Sequence, residues 1–191
     1  KAATFLLGDN LERTTQGGGI YTYTSQQGAA AFRDTGSFDA AGSLSQENAE
    51  AFCRDFCKAF SYDTPIFTLD ETGSGTATAV RLWSGTPVFN AAVTFTIDQG
   101  RVLSASGALL PETGAETSSG QKPLSAFAAL TAFQQMRHAS SSVVSSITEV
   151  SLCYELQSTT AAPMALVPSW RIVTDTATFY VNCISGTVRR A

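Results

Sequence analysis

Apolar residues recur at the spacing of an α-helix in two segments of the chain, 44–60 and 124–139. In each segment one apolar residue follows another after three or four positions, which places them on one stripe of a helix. The sequence therefore predicts two helices that each bury one face, and the first is expected to end near Phe60. The stripe residues are Ala49, Phe52, Cys53, Phe56, Cys57 and Phe60 in the first helix, and Phe127, Leu130, Phe133 and Met136 in the second.

Apolar and polar residues alternate in other segments, which is the pattern of a strand with one face in the core and one in water. The alternation is clearest where Val93, Phe95 and Ile97 are separated by threonines. The short turn at Gln99 and Gly100 predicts that this strand and the next one form a hairpin. Strands are expected at 20–24, 76–83, 88–98, 101–106, 149–156, 169–175, 178–182 and 187–190.

Three local features complete the predicted secondary structure. Residues 1–19 end in a run of glycines and are expected to be a flexible N-terminal segment. The segment 27–42 is rich in small residues and is predicted to be a connection that Phe32 and Phe38 hold against the core. Ser45 is predicted to cap the first helix, because a serine hydroxyl accepts a hydrogen bond from a free amide at a helix start.

The order of helix, strand, tight turn and returning strand occurs twice, which predicts an α+β fold made of two similar units. In each unit one helix packs on an antiparallel sheet, so that both apolar surfaces are buried. The first unit is placed at 20–110 and the second at 124–191. The polar segment 111–123 between them contains glycine and shows no periodicity, so it is predicted to be a linker.

Composition limits the classes of partner. The 191 residues are 43% hydrophobic and 15% charged, which is typical of a folded chain. The net charge of −4 and the scattered Lys and Arg residues argue against a nucleic-acid partner, because phosphate binding needs clustered positive charge. No apolar run approaches the roughly 20 residues that span a bilayer, so this segment is not expected to insert into a membrane.

The cysteines leave two questions open. Cys53 and Cys57 lie on the buried stripe of the first helix, either as small hydrophobic residues or as half of a metal site. The second reading lacks further ligands, because the single histidine, His138, lies in another segment. Cys153 and Cys183 fall in two predicted strands and either face each other as a disulfide or remain free thiols.

The sequence carries no pattern that predicts catalysis. Acid–base catalysis would need a pair of carboxylates. The candidates are predicted to lie in loops, and they are Asp63, Asp70, Glu71 and Asp175. There is no G-x-S-x-G turn for a serine nucleophile, and the G-S-G at 73–75 is too short for a phosphate loop. We therefore predict a protein that is not an enzyme and binds no cofactor or metal.

Two features predict a location outside the cytoplasm. The chain is rich in Ser, Thr, Gly, Gln and Asn and poor in Lys and Glu. It begins at Lys1 rather than at a methionine, so a signal peptide or membrane anchor is expected before this residue. The expected location is the cell surface, with the chain held there through that N-terminal segment.

Three motifs resemble a known family. They are G-x-P-x-F-N at the start of a long strand, P-x-W-x-I in a later strand, and a closing F-Y-V-N-x-x-x-G-x-V. Over residues 20–190 this pattern resembles the extracytoplasmic region of the YycH/YycI regulators, which are relatives of PepSY-like modules. The matching residues are Gly85, Pro87, Phe89 and Asn90, then Pro168, Trp170 and Ile172, then Phe179, Tyr180, Val181, Asn182, Gly186 and Val188.

This resemblance implies a function as well as a fold. The fold would be PepSY/cystatin-like, and the protein would be a membrane-tethered, non-catalytic regulator that modulates a cell-wall-sensing histidine kinase by contact in a Gram-positive bacterium. The cysteines and the low lysine content depart from what the family would show. A peptide-binding or peptidase-inhibitor role, which PepSY-like modules suggest, is the alternative.

The candidate contacts for a protein partner are aromatic, because aromatic residues dominate binding hot spots. They are Tyr21 and Tyr23 in the first predicted strand, with Trp83 and Trp170 in later ones. The alternative for each is that it fills the core.

Overall fold

The computed structural model describes residues 1–45, 48–111, 120, 122–140, 143–158 and 164–191. The described residues form a mixed structure in which a large sheet carries a few helices. The helices are α1 (Ala2–Leu7), α2 (Ala49–Ala59) and α3 (Ala126–Ser140). The strands are β1 (Glu12–Gly17), β2 (Ile20–Ser25), β3 (Gly28–Arg33), β4 (Ser37–Gly42), β5 (Ile66–Leu69), β6 (Gly75–Trp83), β7 (Thr86–Asp98), β8 (Arg101–Ala108), β9 (Ile147–Gln157), β10 (Ala165–Thr174), β11 (Thr178–Asn182) and β12 (Val188–Arg190).

All of these strands belong to one sheet, and β7 is the strand that joins its two parts. The order is β1-β2-β3-β4-β8-β7-β9-β10-β11-β12, and β6 pairs with β7 and β5 beside this path. Neighbours are antiparallel except β7 and β9, which are parallel and meet at Val88 and Tyr154. The long strand β7 pairs with β8 along its second half and meets β9 near its start. The predicted division into two separate helix-on-sheet units is therefore not confirmed.

The N-terminal residues form a helix, a strand and a turn, whereas the sequence predicted a segment without fixed structure at 1–19. Helix α1 buries Leu6 and Leu7 in the core. The glycine run is the turn between β1 and β2, and Gly17, Gly18 and Gly19 have φ angles of 79°, 60° and 75°. Glycine adopts such angles without a steric cost, which is why the run makes a hairpin.

The segment 27–42 is also not a simple connection, because it forms the hairpin of β3 and β4. Its small residues serve packing, since Ala30 and Ala40 are buried opposite each other. They belong to the first core cluster, which combines buried residues of α1, α2, β3, β4, β6, β7 and β8. Phe38 is buried there too, as predicted, and stacks on Phe32 with ring centres 5.8 Å apart.

Helix α2 begins later than predicted and has a different cap. Asn48 has a φ of 55°, and its side chain accepts a hydrogen bond from the Ala51 amide at 3.0 Å. The hydroxyl of Ser45 instead accepts a hydrogen bond from the Val102 amide at 3.1 Å, so this serine ties the preceding loop to β8. The helix ends at Ala59, as the apolar stripe predicted.

Two of the three buried clusters lie between the sheet and a helix. Helix α2 lays its buried stripe on β6, β7 and β8, and Phe56 contacts the rings of Phe5, Phe38, Phe60 and Phe95. Helix α3 packs Phe133 against Phe179 of β11 in a second cluster. Phe127, which was predicted to lie on the buried stripe of this helix, is exposed instead. A third, smaller cluster lies where β7 meets β9. Of the predicted linker 111–123, residues 112–119 and 121 lie outside the described part of the chain.

Candidate functional site

The two predicted tyrosine contacts lie side by side on β2 and are partly buried. The ring of Tyr23 meets Phe32 edge-on at 5.7 Å and packs against the first core cluster. The Arg13 guanidinium lies 4.8 Å from the centre of the Tyr21 ring. Tyr23 thus contributes to the core, whereas Tyr21 lies against the Arg13 side chain of β1.

The two predicted tryptophan contacts lie elsewhere. Trp83 ends β6 and packs on the third cluster, while Trp170 packs on the second cluster beneath α3. The indole N–H of Trp170 donates to the Leu124 carbonyl at 2.9 Å, so this side chain fixes the entry to α3. The structure therefore places three of the four predicted contacts in three different clusters and Tyr21 beside Arg13, and it does not bring the four together into one surface.

The side of the sheet away from α2 is polar and open. Along β7 the residues from Ala91 to Asp98 alternate strictly between buried and exposed, and the exposed ones point away from α2. Exposed Thr94 and Thr96 pair with Thr78 and Thr76 of β6 and with Ser106 and Ser104 of β8. We call these six side chains the hydroxyl face. None of the three described helices packs on it.

The two parts of the sheet meet where β7 lies beside β9, a place that we call the joint. The side chain of Asn90 makes two hydrogen bonds there. The Asn90 amide nitrogen donates to the Leu156 carbonyl at 2.7 Å, and its oxygen accepts from the Leu156 N–H at 2.7 Å. The amide thus bonds to both the N–H and the C=O of Leu156, as a backbone residue does in a hydrogen-bonded antiparallel pair. Asn90 therefore extends the short parallel contact between β7 and β9 by one more pair.

A second contact at the joint is aromatic and charged. Phe89 of β7 stacks on Tyr180 of β11, with ring centres 3.6 Å apart. The Arg189 guanidinium lies 5.5 Å from the Phe89 ring centre and pairs with Glu155 at 2.8 Å. The Glu155 side chain is only 13% exposed, so this pair is better shielded from solvent than a typical surface pair.

The joint borders a shallow concave site of about 330 Å³ lined by polar side chains. Its walls include Glu155, Tyr180, Asn182 and Arg189. Burial raises the pKa of the Tyr180 phenol, and the nearby Arg171 guanidinium opposes this rise. The phenol therefore remains neutral at physiological pH and acts as a hydrogen-bonding group rather than as a base.

The contacts at the joint were not predicted from the sequence, although one motif contains two of the residues that make them. Phe89 and Asn90 are the last two residues of the G-x-P-x-F-N motif, and both reach across to the C-terminal strands. The partners Tyr180 and Leu156 lie far along the chain, so their contacts had no local pattern to reveal them.

The thiols are free and buried. All four cysteines are unbridged. Cys153 of β9 and Cys183, which follows β11, lie on either side of β10. Strands two apart are separated by about 9.5 Å, which exceeds the Cα separation that a disulfide allows. Burial raises the pKa of Cys53, Cys57 and Cys153 to about 12, so these thiols stay protonated and are poor nucleophiles.

The carboxylates that were weighed for acid–base chemistry serve loop structure. Asp70 accepts hydrogen bonds from the Thr72 hydroxyl and from the amides of Thr72 and Ser74, and these bonds lower its pKa. Asp175 accepts from the amides of Ser145 and Ser146, which lower its pKa against the opposing effect of desolvation. Among the described residues, no three His, Cys, Asp or Glu side chains group as a metal site would require.

No helix among the described residues has the length and hydropathy that crossing a membrane would require.

Comparison with known proteins gives structural likenesses only. No protein-family model matches the chain, and neither does any curated protein sequence. One similar solved structure is the YpeB C-terminal domain of Bacillus megaterium, with a TM-score of 0.46 and 14% identity over 99% of this chain and 93% of that one. Another is an uncharacterized protein from Eubacterium rectale, with a TM-score of 0.48 and 12% identity over 98% of this chain and 74% of that one. At these values neither likeness assigns a family or a function to the chain.

Proposed function

We propose that this protein is a non-catalytic, extracytoplasmic interaction module that regulates a protein partner by direct contact. The partner that the YycH/YycI resemblance implies is a membrane sensor kinase. In this proposal the module is held at the cell surface through a segment before Lys1.

The observation that carries the proposal is the open side of the sheet. The hydroxyl face is exposed, and its side chains are uncharged hydrogen-bonding groups rather than the Lys and Glu of an ordinary solvated surface. Hydroxyl groups both donate and accept hydrogen bonds and are less costly to desolvate than charges. Such a surface suits contact with another protein.

The chemistry of the remaining residues agrees with a binding role. The buried thiols are protonated, and Asp70 and Asp175 bind neighbouring backbone amides. The residues of the family-like motifs pack or join strands, as Asn90 and Trp170 do. A role in structure explains these side chains without a reaction.

The location is tested first, with a thiol placed on the hydroxyl face. Thr94 is exposed in the middle of β7, whereas the native cysteines are buried, so Thr94→Cys adds one reactive thiol. A membrane-impermeant maleimide should label this variant on intact cells and leave the wild-type protein unlabelled. Asp55→Cys, on α2 and away from this face, serves as a second probe that a bound partner does not cover. Labelling of both variants only after lysis would contradict an extracytoplasmic location.

The partner is tested with a photo-crosslinking residue at the same position. Illumination of intact cells should join the protein to a membrane sensor kinase, identified by mass spectrometry of the adduct. A position on the buried side of β7 is unsuitable as a control, so exposed Asp55 on α2 serves instead. Equal adducts from both positions, or none from Thr94, would contradict contact through the hydroxyl face.

The uncharged strand edge at β5 offers such a module a second place of contact, for an extended segment of its partner.

A further inference from the structure

Three strands lie at edges of the sheet, and two of them carry features that discourage added strands. Strand β1 holds the charged residues Glu12 and Arg13 and has a register irregularity before Gly17. Strand β12 is only three residues long and contains Arg189 and Arg190. Charged residues, irregular pairing and short length are the usual ways in which proteins protect an open edge.

The third edge, β5, is also short, with four residues, but it has neither a charged residue nor a register irregularity. Its sequence is Ile-Phe-Thr-Leu, without a charge, and within the described residues it pairs only with β6. Ile66 is 72% exposed and Leu69 is 37% exposed, which is unusual for large apolar side chains on an edge. An exposed, uncharged, apolar edge is the kind that accepts another strand.

The hydrogen-bond register shows which backbone groups of β5 are open. The Asp70 N–H donates to the Ser74 carbonyl at 2.9 Å, in line with the pairing of Thr68 with Thr76. In an antiparallel pair, hydrogen-bonded positions alternate with positions that point the other way. Thr68 and Ile66 therefore bond towards β6, and the N–H and C=O groups of Phe67 and Leu69 point outward.

We propose that the β5 edge binds an extended, uncharged peptide segment of a protein partner as an added strand. This inference deepens the proposed function and rests on it. An extended backbone presents N–H and C=O groups at the spacing of this outward row and can bond to all of them in place of water. The flanking side chains Phe67 and Leu69 on one face and Ile66 on the other select apolar or β-branched residues in that segment.

The short length of β5 favours a peptide over a second copy of the chain. Four residues extend over only about 13 Å. Pairing two copies through this edge alone would bury far less than the roughly 1,200 Å² of a stable interface. A flexible segment can instead continue past the strand and use neighbouring surfaces.

One such surface lies at the end of β5. A concave site of about 500 Å³ is bounded by Leu69, by Ile97 and Arg101 of the adjacent hairpin, and by Glu50 at the start of α2. Because Leu69 forms part of its wall, a side chain of the added strand opposite Leu69 lies at the mouth of this site. The mixed apolar and charged walls suit a side chain with an apolar stem and a polar end.

Binding is tested with a synthetic peptide of alternating valine and threonine with a lysine at each end. Its control is the same peptide with every valine and threonine N-methylated, which removes the backbone donors. Hydrogen exchange of the whole protein is followed residue by residue. At a peptide concentration about ten times its Kd, the amides of Phe67 and Leu69 should exchange about tenfold more slowly, and that of Thr68 should be little changed.

Two substitutions at Leu69 distinguish the contribution of its backbone hydrogen bond to peptide binding from that of its side chain. Leu69→Pro removes an outward N–H at an edge position, where proline is tolerated, while Leu69→Ala removes the side chain but keeps the N–H. Peptide binding should be about fivefold weaker for L69P than for L69A, which corresponds to one lost hydrogen bond. Urea unfolding of both variants verifies that the fold is retained.

The proposal is overturned if the peptide does not bind, if the N-methylated peptide binds equally well, or if L69P and L69A bind alike. It is also overturned if the slowed amides belong to β1 or β12. Slowing that depends on protein concentration without peptide would assign the edge to a second copy. Crosslinking of a sensor kinase to the hydroxyl face together with no peptide binding would leave the proposed function intact and reject this edge.

Discussion

Replacing Asn90 by alanine removes the amide that links β7 to β9. The side chain makes two hydrogen bonds of 2.7 Å to the backbone of Leu156, and the direct backbone pairing between these strands is limited to Val88 and Tyr154. Alanine fits a strand and leaves the backbone unchanged, so the loss is that of the two bonds.

The expected loss follows from those two bonds. A typical intramolecular hydrogen bond contributes about 1 kcal/mol net, so two would contribute about 2 kcal/mol. Asn90 lies at the surface, where water can replace part of the lost bonding at Leu156. We therefore expect N90A to lower the free energy of unfolding by about 1–2 kcal/mol.

Aspartate at the same position gives a sharper result. Asn90→Asp keeps an acceptor for the Leu156 N–H, but its second oxygen faces the Leu156 carbonyl instead of donating to it. Because an ionised carboxylate is disfavoured next to the Leu156 carbonyl, its pKa is raised in the folded state, and protonation restores a donor. The deficit of N90D should therefore shrink as the pH falls towards about 4 and be smallest below it. Asn90→Ala has no titrating group and should show no such recovery.

The assay is urea unfolding, combined with hydrogen exchange at the Leu156 amide. Asn10→Ala is the matched control, because Asn10 is exposed and makes no side-chain hydrogen bond among the described residues. The reasoning would be refuted if N90A and N10A had the same stability, or if the Leu156 amide exchanged at the same rate in N90A and the wild-type protein.

Two further predictions concern the first core cluster. Phe56 is fully buried among several aromatic rings, so Phe56→Ala should lower the free energy of unfolding by about 3–5 kcal/mol; a loss below about 1 kcal/mol in urea unfolding would show that the ring is not packed as described. Burial raises the pKa of Cys53 and Cys57 to about 12, while unfolded thiols ionise near about 8.5, so the unfolded state loses these protons first as the pH rises. Stability should therefore decrease between about pH 8.5 and 12, more steeply than in a Cys53→Ala, Cys57→Ala variant, and equal slopes in urea unfolding would contradict the burial of these thiols.

Elements with strong periodicity could be predicted from the sequence. Strand β11 was predicted with its exact bounds, Thr178–Asn182, and the alternation in β7 identified which residues face the core. The predicted buried stripe of α2 is confirmed, because Cys53 and Phe56, which are three residues apart, are both buried. In these segments the spacing of apolar residues matches the set of side chains that the fold buries.

The first 42 residues show where such patterns fail. Strand β1 is exposed throughout and contains no large apolar residue, so only its pairing with β2 defines it. Helix α1 has six residues, which is too short to be stable alone, and it depends on the burial of Leu6 and Leu7. Strands β3 and β4 are rich in alanine, a weak strand former, and they are held by their neighbours in the sheet.

The candidate contacts could be predicted only by residue type. Sequence suggested aromatic residues, and the structure places Tyr23 and Trp170 against the core rather than on an open surface. The open surfaces consist instead of threonines, serines and the short edge β5. Their role depends on which strands become neighbours, since Thr94 meets Thr78 and Ser106 only after the sheet has formed.

The central claim, contact with a protein partner through the hydroxyl face, is tested most directly by photo-crosslinking from two exposed positions on intact cells. Thr94 lies in the middle of the hydroxyl face, and Phe127 on α3 is 81% exposed and serves as the control. We predict a protein adduct from a photo-reactive residue at position 94 and none from position 127. An adduct from position 127 alone, or none from position 94, would contradict the account.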